Sequence, residues 1–145
     1  MNCQPWHFTV VQNKELLNKI NTFTKQAILK SDNEGMKERA KGEDFCIFYN
    51  SPTLIIISGD TKAVTPQYDC TLALGNMFNA AASLKIGSCW IHAIINVLNL
   101  EFAKDLVKEL ELPEGHTIYC AGSFGYSAVE AKAAPRKDGI VKIIK

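Results

Sequence analysis

The chain has 145 residues, 47% of them hydrophobic and 21% charged, with a formal net charge of +1. That is enough for one domain, residues 1–145, burying roughly 68–70% of its unfolded surface. The near-neutral balance argues against a nucleic-acid partner. No apolar run, the Ile-rich stretch Leu54 to Ile57 included, is long enough to span a bilayer, so no membrane role is expected.

In chain order, Phe8-Thr9-Val10-Val11 reads as a short strand. Asn13 is placed to cap a helix whose apolar residues Leu16, Leu17, Ile20, Phe23, Ala27 and Ile28 recur at helical spacing to about Lys30. Ser31 to Asp44 is polar and charged, with Gly35 and Gly42, and reads as a loop or a solvated helix. Thr53 to Gly59 is an Ile-rich run suited to a central strand covered on both faces.

Thr65-Pro66 marks a helix start, with Asp69 near the positive end of the dipole, and the helix runs to about Lys85. It is apolar on most sides, as expected of a helix buried inside the fold or at a subunit interface. Its one polar stripe is Asp69, Asn76, Asn79 and Ser83, expected to bond to neighbouring helices. After a Gly-containing turn comes Cys89-Trp90-Ile91. Asn99 is placed to cap a further helix carrying Leu100, Phe102, Ala103, Leu106, Val107 and Leu110. Thr117 to Gly122 reads as a strand, and Ile140 to Ile144 as a final strand. The alternation of helices and strands gives an α+β or α/β class with a mixed central sheet flanked by helices.

No GxGxxG loop, Walker loop or GxSxG elbow is present. The three histidines, His7, His92 and His116, are dispersed, and the five cysteines include no C-x-x-C pair. Neither set reads as a metal centre, and the odd cysteine count speaks against a disulfide framework. The thiols are expected to be reduced and in or near the core. No protein nucleophile or acid–base pair stands out, which fits an enzyme whose cofactor carries the chemistry.

Six short stretches, in order, carry a resemblance. They are Asn2-x-Gln4-Pro5-Trp6-x-Phe8-x-Val10-Val11; Asn50 to Ile56; the helix from Asp69 with Asn76-Met77 and Ala80-Ala81; Leu84-x-Ile86 through Ile91; Gly122-x-x-Gly125-Tyr126; and Ala134-Pro135-Arg136-Lys137. In this order and spacing the chain resembles the nitroreductase family of flavin enzymes. The resemblance implies an α+β homodimer binding FMN at its interface. The flavin would take hydride from NADH or NADPH and reduce nitro compounds, quinones or similar small acceptors in a ping-pong cycle. The expected reduced thiols, with the absence of a basic-then-apolar leader at Met1, point to a cytoplasmic location.

By the same resemblance, Asn2, Gln4 and Pro5 form the loop beside the flavin, where an Asn amide can both donate and accept at a ring edge. Cys89, Trp90, Ile91 and His92 match the segment against one ring face, whose backbone N–H groups can stabilise charge on the reduced ring. Arg136 and Lys137 match a basic pair that reaches the FMN phosphate. Ser31 to Asp44 matches a variable region that often covers the substrate pocket. Family members usually carry an N-terminal helix and an Arg-Arg-Ser-x-Arg segment ahead of the Asn2 loop, so the chain is expected to be N-terminally shortened. Each charge-assisted phosphate bond lost in that way costs roughly 1.5–3 kcal/mol. Two further readings stand beside the enzyme: a non-catalytic member that folds and dimerises but binds flavin weakly or not at all, and a flavin-binding protein without turnover.

Overall fold

Hydrophobic periodicity decides the layout. The computed structural model describes residues 2–129 and 132–144. Strand β1 (Trp6–Val11) leads into α1 (Lys14–Leu29), whose N-cap Asn13 accepts the Leu16 N–H at 3.0 Å. Then come α2 (Glu34–Ala40), β2 (Thr53–Asp60), α3 (Pro66–Ser83), β3 (Gly87–Trp90), α4 (His92–Leu98), a 3-10 turn at Glu101–Ala103, α5 (Lys104–Lys108) and β4 (His116–Gly125).

The sheet order is β1-β2-β4-β3, and every neighbouring pair is antiparallel. The class is α+β, as expected, but among the described residues the sheet is antiparallel rather than mixed. The reason is positional: β2 and β3 run the same way and are joined by the α3 crossover, yet β4 lies between them, so no parallel pair forms.

The two faces of the sheet are covered differently. On one face α3 packs across β4, β2 and β3. The approach is closest at Gly122, where a Cβ would lie 2.9 Å from both Leu74 Cδ1 and Phe78 Cε1. On the other face α1, α4 and α5 supply Leu17, Ile20, Ile94, Leu98 and Leu106 to a core that also holds Leu54, Ile56 and Ile118. Burial of the β2 run Leu54 to Ser58 is nearly complete, as its unbroken apolar pattern requires.

Four sequence expectations change. The segment expected as one helix from Asn99 splits into the 3-10 turn and α5, because Asn99 does not cap it. Its side chain serves β4 instead, donating to the Ile118 carbonyl at 2.7 Å and accepting from the Ile118 N–H at 3.3 Å and the Thr117 hydroxyl at 3.2 Å. Ile140 to Ile144 forms no strand over its described residues; Ile140, Val141, Ile143 and Ile144 are exposed, since no sheet edge pairs with them. Helix α3 buries Cys70, Leu74 and Ala81 on one side only and leaves Leu72 (69%) and Leu84 (67%) exposed. Its polar stripe bonds locally: Thr65 donates to Asp69 at 3.0 Å and Ser83 to the Ala80 carbonyl at 2.7 Å, while Asn76 and Asn79 stay exposed. Among the described residues no helix of this chain packs on that side.

Candidate functional site

The expected site residues fall into three places. Asn2 and Gln4 are exposed and Pro5 is buried in the segment entering β1, where the Pro5 carbonyl accepts the Asp60 N–H at 3.0 Å. Gln4 holds a positive φ of 44°, a conformation that side chains rarely adopt. With Cys3, Trp6, Thr65 and Asp69 this loop lines a cavity of about 310 Å3. Cys3 is exposed, against the expectation that the thiols sit in or near the core; Cys70 and Cys120 do, and all five are free.

Cys89 and Trp90 end β3, the opposite edge strand. The Trp90 ring meets Phe78 edge-on, with centroids 6.5 Å apart, and Phe78 in turn stacks on Phe124 at 5.7 Å. The indole thus belongs to an aromatic cluster under α3, which leaves the backbone as this segment's usable part. The Ile91 N–H is already bonded to the Ala121 carbonyl at 2.9 Å, and the Ile91 side chain is buried. His92 is exposed at the first position of α4.

Arg136 and Lys137 are exposed in the C-terminal segment, with no hydrogen bond or ion pair recorded to the rest of the described chain. The structure therefore does not bring the Asn2 loop and the Cys89–His92 segment together in one copy. Trp6 pairs with Gly59, whereas Trp90 pairs with Gly122, itself opposite Ile55. Three inter-strand steps and four residues along β2 separate them, on the order of 19 Å.

A larger cavity adjoins the Cys89–His92 segment on the face opposite α3. It encloses about 650 Å3 and is bordered by Ala93, the residue after His92. Phe23, Ala27, Met36, Val97, Leu100 and Phe102 make its walls apolar. The polar rim comes from Lys30, Asn33 and Asn96. Phe23 and Phe102 stack with centroids 5.6 Å apart. Sequence reasoning reached only Ser31, Asn33 and Met36, inside the Ser31–Asp44 stretch matched to a pocket-covering region; it missed the rest, because the α1 stripe through Phe23 and Ala27 reads as core and nothing in its periodicity says that α4 leaves part of it uncovered. Helix α4 itself went unread, since Ile91 to Leu98 shows an apolar run rather than an amphipathic repeat.

The titratable core is structural. Burial, with the Asp69 carboxylate adding to it, pushes the Cys70 thiol up to about 11; burial, with Cys70 adding to it, pushes Cys120 up to about 12. The Cys120 thiol donates to the Cys70 carbonyl at 3.3 Å. His7 and His116, expected to be dispersed, meet edge-to-face with ring centroids 6.3 Å apart, and His116 Nδ1 lies 3.2 Å from the Ser58 hydroxyl. No group of three His, Cys, Asp or Glu is arranged to hold a metal among the described residues. No described helix is long and apolar enough to cross a membrane.

With this geometry in hand, the chain belongs to the Nitroreductase family, which it matches over residues 1–126. It is similar to a nitroreductase from Bacteroides fragilis NCTC 9343, solved with bound FMN. The two are 35% identical with a TM-score of 0.88, over 100% of this chain and 79% of that one. A nitroreductase from Desulfitobacterium hafniense DCB-2, also solved with FMN, is 25% identical with a TM-score of 0.86, over 99% and 78%. A curated Archaeoglobus fulgidus protein, named provisionally as an NADH dehydrogenase/NAD(P)H nitroreductase, is 28% identical over 131 residues. The match covers 86% of this chain and 63% of that relative, so the chain spans less than two thirds of its length.

Proposed function

We propose that the chain is an FMN-dependent oxidoreductase that passes reducing equivalents from NADH or NADPH to nitroaromatic, quinone or similar small acceptors, in the cytoplasm and as a homodimer. The observation that carries this reading is the 650 Å3 cavity beside Ala93, of the size and apolar character of cofactor pockets. It lies next to the segment that the family resemblance assigns to the flavin. Family membership and the FMN-bound relatives support the same reading.

The residues present fit a flavin under one condition. Ala93 and Asn96 would hold the ring at the α4 wall, with the rim of Lys30 and Asn33 for its polar edge. Of the backbone donors after Trp90, only those beyond Ile91 remain for the ring, because the Ile91 N–H is taken. Arg136 and Lys137 are exposed cations suited to the phosphate. Asn2, Gln4 and Pro5 lie on the far edge of the sheet and can meet the same flavin only from a second copy. That requirement favours a homodimer whose partner reaches the cavity face; the exposed Leu72 on α3 lies on the other face and is a separate apolar surface.

FMN, when bound, supplies the hydride acceptor and donor that the protein side chains lack. The chain's part is to bind and orient it, to exclude water with the apolar walls, and to admit the acceptor between α2 and the 3-10 turn. Anaerobic addition of NADH or NADPH to the FMN-loaded protein tests this. Bleaching of the flavin, reversed by 1,4-naphthoquinone, is expected. Bound flavin that neither pyridine nucleotide bleaches would leave a flavin-binding protein without turnover.

A further inference from the structure

The segment from α2 to β2 returns to α1 through two side chains one helical turn apart. Asn21 donates from Nδ2 to the Phe45 carbonyl at 3.2 Å and accepts the Ile47 N–H on Oδ1 at 2.9 Å. Lys25 donates to the Gly42 carbonyl at 2.9 Å and sits over the Phe45 ring, 5.9 Å from its centroid. At i and i+4, both lie on one face of α1. At the near end, Ser31 donates to the Ile28 carbonyl at 2.8 Å, and Asn33 caps α2 by accepting the Met36 N–H at 3.0 Å. Helix α2 is therefore strapped between two fixed points, with Asn33 and Met36 on the cavity and Ala40 buried beneath it.

Neither Asn21 nor Lys25 lines the cavity. We propose that they are positioning residues for ligand recognition: by clipping the chain at Gly42, Phe45 and Ile47 to α1, they hold Met36 opposite the Phe23–Phe102 pair and shape the cavity for a flat aromatic ring. The physical reason is that α2 has only seven residues and one buried side chain. A helix that short is marginal by itself and takes its place from its tethers. Thioether and aromatic walls favour a planar aromatic ring over a compact ion. The inference rests on the cavity being the ligand site proposed above, but its test does not require flavin.

The probe is 2-naphthol, followed by fluorescence anisotropy with the flavin-free full chain. Asn21→Ala and Lys25→Met are expected to weaken its binding by about tenfold, as is Phe102→Ala, while Lys19→Ala, on α1 but paired with Glu109, leaves it unchanged. Lys25→Met keeps the apolar stem over Phe45, so it tests the clip even where Asn21→Ala unfolds the segment. In the FMN-loaded enzyme the same two variants should raise KM for 1,4-naphthoquinone by a similar factor. Their affinity for FMN should fall by a similar factor, while at saturating FMN their kcat and their turnover of ferricyanide, which needs no aromatic slot, should hold. Naphthol binding unchanged in Lys25→Met at an unchanged melting temperature would overturn the proposal, as would a parent chain that does not bind naphthol. A parent that binds naphthol but takes up no FMN would sink the flavin reading and leave the positioning role standing.

Discussion

A Cβ added at Gly122 meets Leu74 and Phe78 at 2.9 Å and Phe124 at 3.2 Å, so α3 rests on β4 where only glycine fits. Gly122→Ala is expected to destabilise the fold by about 1–3 kcal/mol, seen as a lower urea midpoint at unchanged m. Asn99 is a second such position: Asn99→Ala removes three hydrogen bonds to the start of β4 and should cost about 1–3 kcal/mol. Cys70 and Cys120 give the molecule an alkaline limit. Their folded pKa values, about 11 and about 12, lie above the ordinary thiol value of 9.0. Their contribution is whole below pH 9 and is lost as pH rises through the folded values, because the unfolded thiols ionise first. Each contributes a slope of up to about 1.4 kcal/mol per pH unit in that window. Denaturation between pH 8 and pH 11 should show it, with Cys120→Ala flattening the fall. Cys3, exposed, should react with a thiol reagent at pH 8 while Cys70 and Cys120 stay protected.

Among the elements, α3 shows what a sequence can and cannot say. Its start at Pro66 and its extent were legible from Thr65-Pro66 and the apolar run, but which side faces the sheet was not, because leucines and alanines surround it. The exposed Leu72 and Leu84 follow from having a sheet on one side only. If a second copy covers that side, Leu72→Glu should leave the monomer's stability nearly unchanged yet shift sedimentation from dimer to monomer. Equal sedimentation of parent and variant as monomers would remove the dimer. The strand expected at Ile140 to Ile144 failed for a related reason: β-propensity is local, whereas a strand needs an edge to pair with. Asn99 read as a cap because Asn before an apolar run commonly is one; its true partners lie 18 and 19 residues away in β4. By contrast Asn13, β2 and the strand leading to Gly122 were legible because caps and buried runs are short-range signals.

At the scale of the whole molecule, the opening Asn2-x-Gln4-Pro5-Trp6 loop pointed to the family, and the match over residues 1–126 bears that out. The loop did not reveal where a ligand would sit. It and the Cys89–His92 segment occupy opposite edges of a four-stranded sheet, and the larger cavity lies beside only the second. Its walls come from α1, α2, α4 and the 3-10 turn, residues that look like ordinary core and loop in the sequence. One measurement bears most directly on the flavin reading. FMN is titrated into the purified chain while its own fluorescence is followed, with flavin content counted after gel filtration. Saturable quenching that leaves one FMN per chain through the column is expected. A colourless protein, with FMN fluorescence unchanged at every concentration, would contradict it.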